Sequence, residues 1–305
     1  MDKTIAAFII CYERPAVVLK TIEAYFLQEL PPSVILLIDN SKSNDVQDAV
    51  LAKKDARLIY FKTGYNAGPA GASRKALIYL FNMGFEWVIW GDDDDPPLFP
   101  DSIKRIMDII VDYGGQEPLG MIGAVGANFN YLTGKIKKLK HQHLNGIKYV
   151  DSIAGNMLPI IHRSVYEKGI LPDERLFFGL EELDFSLAIR RAGFAICVSG
   201  DEIHRYRSYW NRLTNHRSAS IKRSFATLWR EYYSLRNLLY ILAYKEKRIL
   251  PFIHVVVRNL LKIPFGFTVS YKYGRLQALM ILKAFKDFGL GKMGRQIEPQ
   301  KKVSN

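Results

Sequence analysis

The run Phe85-Glu86-Trp87-Val88-Ile89-Trp90-Gly91 stops at four consecutive carboxylates, Asp92-Asp93-Asp94-Asp95, and then at Pro96-Pro97. β-Branched and aromatic residues favour a buried strand, and two prolines cannot continue one. The acids therefore stand at a strand's carboxyl end, the end that faces the ligand crevice in an open α/β sheet. Adjacent carboxylates repel one another, and either water or a divalent cation relieves that repulsion. Oxygen-only ligands on a short turn suit Mg²⁺ or Mn²⁺, which keep waters and share the remaining positions with phosphate oxygens. A solvated acidic loop is the competing reading, so the rest of the chain has to supply the partners of a metal-diphosphate site.

Short apolar runs alternate with helical spacing around that strand. Thr4–Cys11 predicts a strand and Ala16–Leu27 a helix; Ser33–Ile38 predicts a second strand that closes on Asp39-Asn40-Ser41. A third strand is expected over Arg57–Phe61, followed by a glycine-bearing loop, Lys62–Ser73, that feeds a helix over Arg74–Met83. This alternation predicts a parallel sheet with right-handed crossovers. In the loop, the small residues between Asn66 and Arg74, Gly68 and Gly71 among them, let backbone N–H groups approach an anion at a helix start. Tight packing for steric reasons is the alternative, and the loop matches neither the Walker nor the dinucleotide pattern. Further on, Ile103–Tyr113 predicts a helix, Leu119–Asn128 a strand, and Tyr131–Tyr149 an exposed basic hairpin that includes His141 and His143. Ala154-Gly155-Asn156 is a place where backbone could come close to a ligand.

A second acidic group, Glu181-Glu182-Leu183-Asp184, opens a helical pattern that Gly193 stops. Acids in a first turn complement the helix dipole, but the dipole alone does not require three. A carboxylate held there beside a cleft can take a proton from a hydroxyl nucleophile. Phe194–Ser199 predicts one more strand, with His204 beyond its end.

Charge divides the chain. Arg205–Asn305 holds 21 Lys and Arg against 4 Asp and Glu, an excess of 17, while the residues before it carry a net −4. The near-neutral, acid-bearing body thus precedes a strongly basic region, whose expected partner is an anionic surface. Hydrophobic content of 49% excludes a disordered chain. Cys11 and Cys197 lie in apolar runs without metal-ligand spacing, so buried thiols are expected, with a disulfide as the alternative. The start shows no signal-peptide order. In the basic region His254, Arg258 and Lys262 recur every four residues on an otherwise apolar helix. No run reaches about 18 uncharged apolar residues, so an interfacial helix is expected rather than a spanning one; a helix packed on the body with its charges in water is the alternative.

Laid out this way, the chain resembles the inverting glycosyltransferases of family 2 with the GT-A fold, especially the rhamnosyltransferase- and galactofuranosyltransferase-like branch, from Ile5 to about Arg295. Cys11-Tyr12-Glu13-Arg14-Pro15 is similar to that family's Thr-Tyr-Asn-Arg-Pro, and Asn66–Arg74 is similar to its Asn-x-Gly-Gly-x-Gly-Gly loop. The resemblance implies donor contacts at Tyr12, Arg14, Asp39, Asn66, Gly68, Arg74, Asp93 and Asp94. It places the Asp-x-Asp metal ligands on Asp93 and Asp95, counted back from Pro100-Asp101, with His204 joining the metal or the diphosphate. Glu181-Glu182-x-Asp184 resembles Glu-Asp-x-Asp, which implies Glu182 as the base. Tyr232-Tyr233 through Arg236-Asn237 looks like the branch's aromatic-Arg-Asn helix.

The expectation is a Mg²⁺- or Mn²⁺-dependent transferase that moves a sugar from a nucleotide-diphosphate donor to a hydroxyl of a cell-surface glycan or lipid-linked acceptor. Residues 1–217 are expected to form the α/β GT-A catalytic domain, 218–295 a basic amphipathic helical region that meets an anionic membrane, and 296–305 a disordered tail. The expected place is the cytoplasm, at the inner face of the plasma membrane, with no nucleic-acid partner. Two alternatives stay open: a sugar-nucleotide nucleotidyltransferase, which would release pyrophosphate, and a non-catalytic basic protein that binds membrane or nucleic acid.

Overall fold

The computed structural model describes residues 4–140, 144–210 and 223–298. These divide into two compact units: Met1–Asn128 with Lys138–Glu174 and Glu182–Asn215, and Phe129–Lys137 with Arg175–Glu181 and His216–Asn305. The expected cut at 217/218 lies outside the described residues, as do His141 and His143. Two upstream segments, 129–137 and 175–181, group with the C-terminal helices.

In chain order the elements are β1 (Ile5–Cys11), α1 (Pro15–Phe26), β2 (Ile35–Asp39), α2 (Asp45–Leu51), β3 (Leu58–Lys62), α3 (Gly68–Asn82), β4 (Trp87–Asp92) and α4 (Ser102–Asp112). They continue as β5 (Leu119–Gly123), β6 (Gly126–Asn130), β7 (Lys135–Lys138), β8 (Ile147–Tyr149), β9 (Ser152–Ile153), β10 (Ile160–His162) and α5 (Arg163–Glu167). Then come α6 (Glu181–Arg191), β11 (Ala195–Ser199), α7 (Gly200–Tyr209), α8 (Trp229–Tyr240), α9 (Ile249–Phe267) and α10 (Tyr271–Gly289).

In the first unit an eight-stranded sheet runs β3-β2-β1-β4-β10-β5-β11-β8. β1 to β4 are mutually parallel, with Cys11 beside Asp39, Asp39 beside Lys62 and Ile10 beside Asp92. The carboxyl ends of β1, β2, β3 and β4 thus form one rim. β10 lies antiparallel between β4 and β5. Alternate residues face opposite ways along a strand: Phe8, Val88 and Trp90 pack with Ala72, Ala76 and Leu80 of α3 on one face, and Ile9, Ile89 and Cys11 with Val18, Ile22 and Ile106 on the other. Each such buried side chain contributes roughly 1.5–3 kcal/mol, so the core that holds the rim is continuous on both faces. Cys11 and Cys197 are free and buried.

Three local expectations are corrected. The glycine-bearing loop is mostly helix: α3 begins at Gly68, and Ala70, Gly71, Ala72 and Ser73 are buried in it. A Cβ on Gly71 would meet the Ala67 Cβ at 3.0 Å, so small size there serves close packing. The single strand expected over Leu119–Asn128 is two, β5 and β6, in different sheets. Tyr131–Tyr149 is not one hairpin, because β8 pairs antiparallel with β11 while the tight turn after β6 is set by Asn130, whose Oδ1 accepts from the backbone N of Leu132 and Thr133.

The second unit is built on α8, α9 and α10. Arg236 is fully buried and donates to the carbonyls of Leu176 at 3.2 Å and Gly294 at 2.8 Å, while Asn237 donates to those of Leu176, Phe178 and Gly179. Lys262 and Gln277 both bind the buried Glu231, at 2.9 and 3.1 Å. The polar side of α9 therefore meets its neighbouring helices, while the Lys262 side chain stays 44% exposed. By length and composition α9 is long and apolar enough to cross a membrane, with Arg258 and Lys262 interrupting it. Residues 296 and 297 are held by their backbone N–H groups on the Tyr233 hydroxyl, so the tail is fixed further than expected; 299–305 lie outside the described residues.

Candidate active site

Two of the four rim carboxylates meet a single guanidinium. After β1 the chain turns through Tyr12 and Glu13, and Pro15 starts α1, which leaves Arg14 at the helix entry. Its guanidinium forks onto Asp93, Nε to Oδ2 at 3.0 Å and Nη2 to Oδ1, while Nη1 reaches Asp94 Oδ2 at 2.6 Å. Asp93 is buried, its N–H bound to the Ile10 carbonyl and its carbonyl to Thr21 Oγ1. Burial outweighs the neighbouring Arg14 charge and raises the Asp93 carboxyl to about 6. Asp95 is raised by burial and then by Asp94; among the described residues it carries no ion pair.

Asp92 turns to a different neighbour. Its carboxyl is pushed well above the ordinary range, first by burial and then by the charge of Glu182. Both approach Gly155, in the 3-10 turn Gly155–Met157: a Cβ there would lie 3.0 Å from Glu182 Oε1, 3.4 Å from Asp92 Oδ2 and 3.4 Å from Trp90 Nε1. Gly155 N–H points at Glu182 Oε1 from 3.4 Å. The backbone approach read from Ala154-Gly155-Asn156 is thus to protein carboxylates. Burial raises the Glu182 carboxyl as well. Of the three acids in the first turn of α6, Glu181 and Asp184 are each 3% exposed, whereas Glu182 keeps partial solvent access. A proton acceptor must reach its substrate, so Glu182 is the one of the three suited to that role. Phe177 and Leu180, just before this turn, hold positive φ of 61° and 69°. Non-glycine residues seldom adopt that conformation unless their surroundings impose it.

At the end of β2, Asp39 is buried; its oxygens accept from Ser41 N–H at 2.8 Å and the Tyr60 hydroxyl at 2.7 Å. Asn40 reaches over to the start of α3, where Asn66 Oδ1 accepts from Gly68 N–H at 3.0 Å. Tyr12 is partly exposed on the same rim. Arg74 sits further along α3 and donates to the Pro172 carbonyl at 3.2 Å. Sequence reasoning missed Glu13, whose Oε1 accepts from Lys42 N–H at 2.7 Å and whose Oε2 accepts from the Ser43 hydroxyl at 2.8 Å. Nothing in a lone Glu at that position signals such a brace.

His204 lies just beyond the end of β11, as expected, on helix α7, with its side chain exposed and its Nδ1 3.5 Å from Ser208 Oγ. Helix α7 is pinned by Arg205 to Asp101 and by Tyr206 to Ser102. Among the described residues no three His, Cys, Asp or Glu side chains are grouped to hold a metal. The rim nonetheless fits a divalent cation of the kind that takes one or two carboxylates and completes its shell with phosphate and water. Three of its four Asp residues are raised by burial and mutual repulsion, and one guanidinium is the cation bonded to them.

Comparison with known proteins speaks to the family and the fold. The model of the family described as Glycosyl transferase family 2 matches residues 6–158, a span that includes the rim from β1 through Gly155. A galactofuranosyltransferase, GlfT1, of Mycolicibacterium smegmatis is 19% identical over 216 residues, 66% of this chain and 71% of that protein. Among solved structures, S. aureus TarS residues 1–349 in complex with UDP-GlcNAc superposes with a TM-score of 0.55 at 13% identity, over 93% of this chain and 80% of that one. The mannosyltransferase PcManGT from Pyrobaculum calidifontis, in complex with GDP-Man and Mn²⁺, gives 0.51 at 12% identity, over 94% and 87%. At such identity the structural likeness speaks to the fold.

Proposed function

The chain belongs to glycosyl transferase family 2, and from that premise we propose that it transfers a sugar, with inversion, from a nucleoside-diphosphate donor to a hydroxyl of a glycan or lipid-linked acceptor. The observation that carries this reading is the pairing of two unlike carboxylate groups: an underneutralised Asp cluster at the end of β4, and beside it Glu182, raised by burial yet still open to solvent.

Tyr12, Asp39, Asn66 and Gly68, with Arg74 further along α3, form the donor side. Asp93 and Asp95 are assigned to Mg²⁺ or Mn²⁺, which when bound offsets negative charge on the departing diphosphate. His204, exposed on α7 just beyond β11, is assigned to the metal or the diphosphate. Arg14 holds Asp93 and Asp94 in place. In the transfer, Glu182 takes the proton of the acceptor hydroxyl as its oxygen bonds to the anomeric carbon; the bond from that carbon to the diphosphate oxygen breaks, and its electron pair leaves with the nucleoside diphosphate. A raised carboxyl is a stronger base than an ordinary one, and the step needs a base. A nucleotide sugar as donor is supported by the galactofuranosyltransferase relative and by the neighbours bound to UDP-GlcNAc and GDP-Man.

The test is a melting-temperature screen of nucleotide sugars with Mn²⁺, with Mg²⁺ and with EDTA. A donor that fits raises the melting temperature only when the cation is present, and turnover then yields nucleoside diphosphate. Release of pyrophosphate would favour the nucleotidyltransferase alternative, and a shift indifferent to EDTA would remove the metal from the proposal.

A further inference from the structure

Helix α9 has its amphipathic character turned around. Its polar residues His254, Arg258 and Lys262 lie on a half-buried side, and Lys262 is fixed to Glu231. Its outward side is Ile249, Leu250, Ile253, Val257, Leu260, Leu261, Pro264 and Phe265, all exposed, with no charged residue among them. Ile249, Leu250, Leu261 and Phe265 are each more than half exposed. The spacing of four, three and one along Ile253, Val257, Leu260, Leu261, Pro264 and Phe265 puts these on one stripe of the helix. The stripe runs roughly 24 Å at about 1.5 Å per residue. Exposed apolar residues scattered singly need no explanation, but a contiguous stripe of this length does.

Charge decides what covers it. Exposed Lys247 and Arg248 precede the stripe, and exposed Lys272 and Arg275 follow it at the start of α10. The region from Arg205 onward carries an excess of 17 positive charges. A second copy of this chain docked on the same face would bring two such surfaces together, whereas an anionic lipid surface attracts both ends of the stripe. Crossing the bilayer is disfavoured by the opposite side of α9: the Lys262–Glu231 ion pair and Arg258 would have to enter the hydrocarbon. We infer that α9 lies in the plane of an anionic membrane leaflet, with the Ile249–Phe265 stripe sunk among the acyl chains and the Lys and Arg residues at its two ends on the lipid headgroups. The cytoplasmic leaflet, where anionic lipids concentrate, is the surface that matches. This reading is independent of the sugar-transfer assignment.

The experiment uses the full chain and vesicles of phosphatidylcholine alone or mixed with phosphatidylglycerol. Flotation should carry the protein with the mixed vesicles, and at high salt a residual fraction should remain bound, because apolar insertion is not screened. The double variant Ile253→Asp/Leu261→Asp should lose partition by about a hundredfold or more, with an unchanged circular-dichroism melt, since both positions are exposed. As a second readout, Leu261→Cys can be labelled with an environment-sensitive thiol dye, because the native thiols Cys11 and Cys197 are buried; its emission should shift to the blue on adding mixed vesicles. Loss of all binding at high salt, equal partition of the double variant, or unshifted dye emission would each overturn the insertion. So would a native oligomer that fails to bind vesicles and that the double variant dissociates, which would give the stripe to a second copy.

Discussion

Along the rim of the sheet, Asp92, Asp93, Asp95 and Glu182 crowd together with one guanidinium among them, and burial raises all four carboxyls. Inside the helical unit several buried polar groups are matched instead: Glu231 holds Lys262 and Gln277, Asp287 holds Tyr232 and Lys283, and Arg236 and Asn237 spread over five backbone carbonyls, while among the described residues the nitrogens left without a hydrogen bond there are single ones, His254 Nε2, Arg258 Nε and Arg295 Nε. A buried polar group left short of partners is costly, so it persists where a ligand completes it. A buried group with every bond made is scaffold. At the rim the imbalance gathers on four neighbouring carboxyls, whereas among the helices it is confined to single nitrogens.

Glu182→Gln tests the unmatched side, and it carries the largest expected effect. The amide keeps size and can still meet Gly155 N–H, but it cannot accept a proton. Turnover should fall by about 10²–10⁴-fold while the Mn²⁺-dependent melting shift with donor stays. Near-normal turnover would mean that the crowding beside Asp92 is not the seat of proton transfer.

Arg236→Ala tests the matched side. It strips donors from the Leu176 and Gly294 carbonyls and opens a cavity where the residue was fully buried, which should cost about 3 kcal/mol. A calorimetric melt reads this as a lower midpoint. A melt unchanged within error would show that these bonds are replaced by water, and that the matched network is not what holds segment 175–181.

The sequence made the rim legible for a physical reason. Strand β4 is an apolar run with an abrupt end, and local composition alone places Asp92 through Asp95 at that end. The pairings around it depend on residues far apart in the chain, as with Arg14 on Asp93 or Gly155 against Glu182, and no local pattern encodes them. The α3 start was misread because Gly and Pro, which usually punctuate, here begin a helix whose small side chains pack against the sheet. The place of His204 beyond β11 is legible, but not that the short polar stretch around it folds as α7, which contacts with Asp101 and Ser102 hold. In the helical unit, heptad-like spacing revealed that α9 has two sides; which side faces outward was decided by Glu231 and Gln277, on other helices.

The smallest effect comes from a rim carboxylate that is matched. Glu13 has φ of 56°, and although burial pushes its carboxyl upward, hydrogen bonds from Lys42 and Ser43 hold it below the usual range. Glu13→Asn introduces the residue found at this place in the resembling motif, one that tolerates a left-handed backbone better. It also loses the reach to Lys42 N–H and the Ser43 hydroxyl. These terms oppose each other, so stability at pH 7 should drop by no more than about 0.5 kcal/mol. Because a lowered carboxyl contributes stability above its unfolded pKa and loses it as pH falls through the folded value, the difference should shrink in acid and vanish once Glu13 is protonated. Turnover should not change, in contrast to Glu182→Gln on the same rim. A turnover loss comparable to that of Glu182→Gln would show that partner balance fails to tell a rim carboxylate that braces from one that reacts.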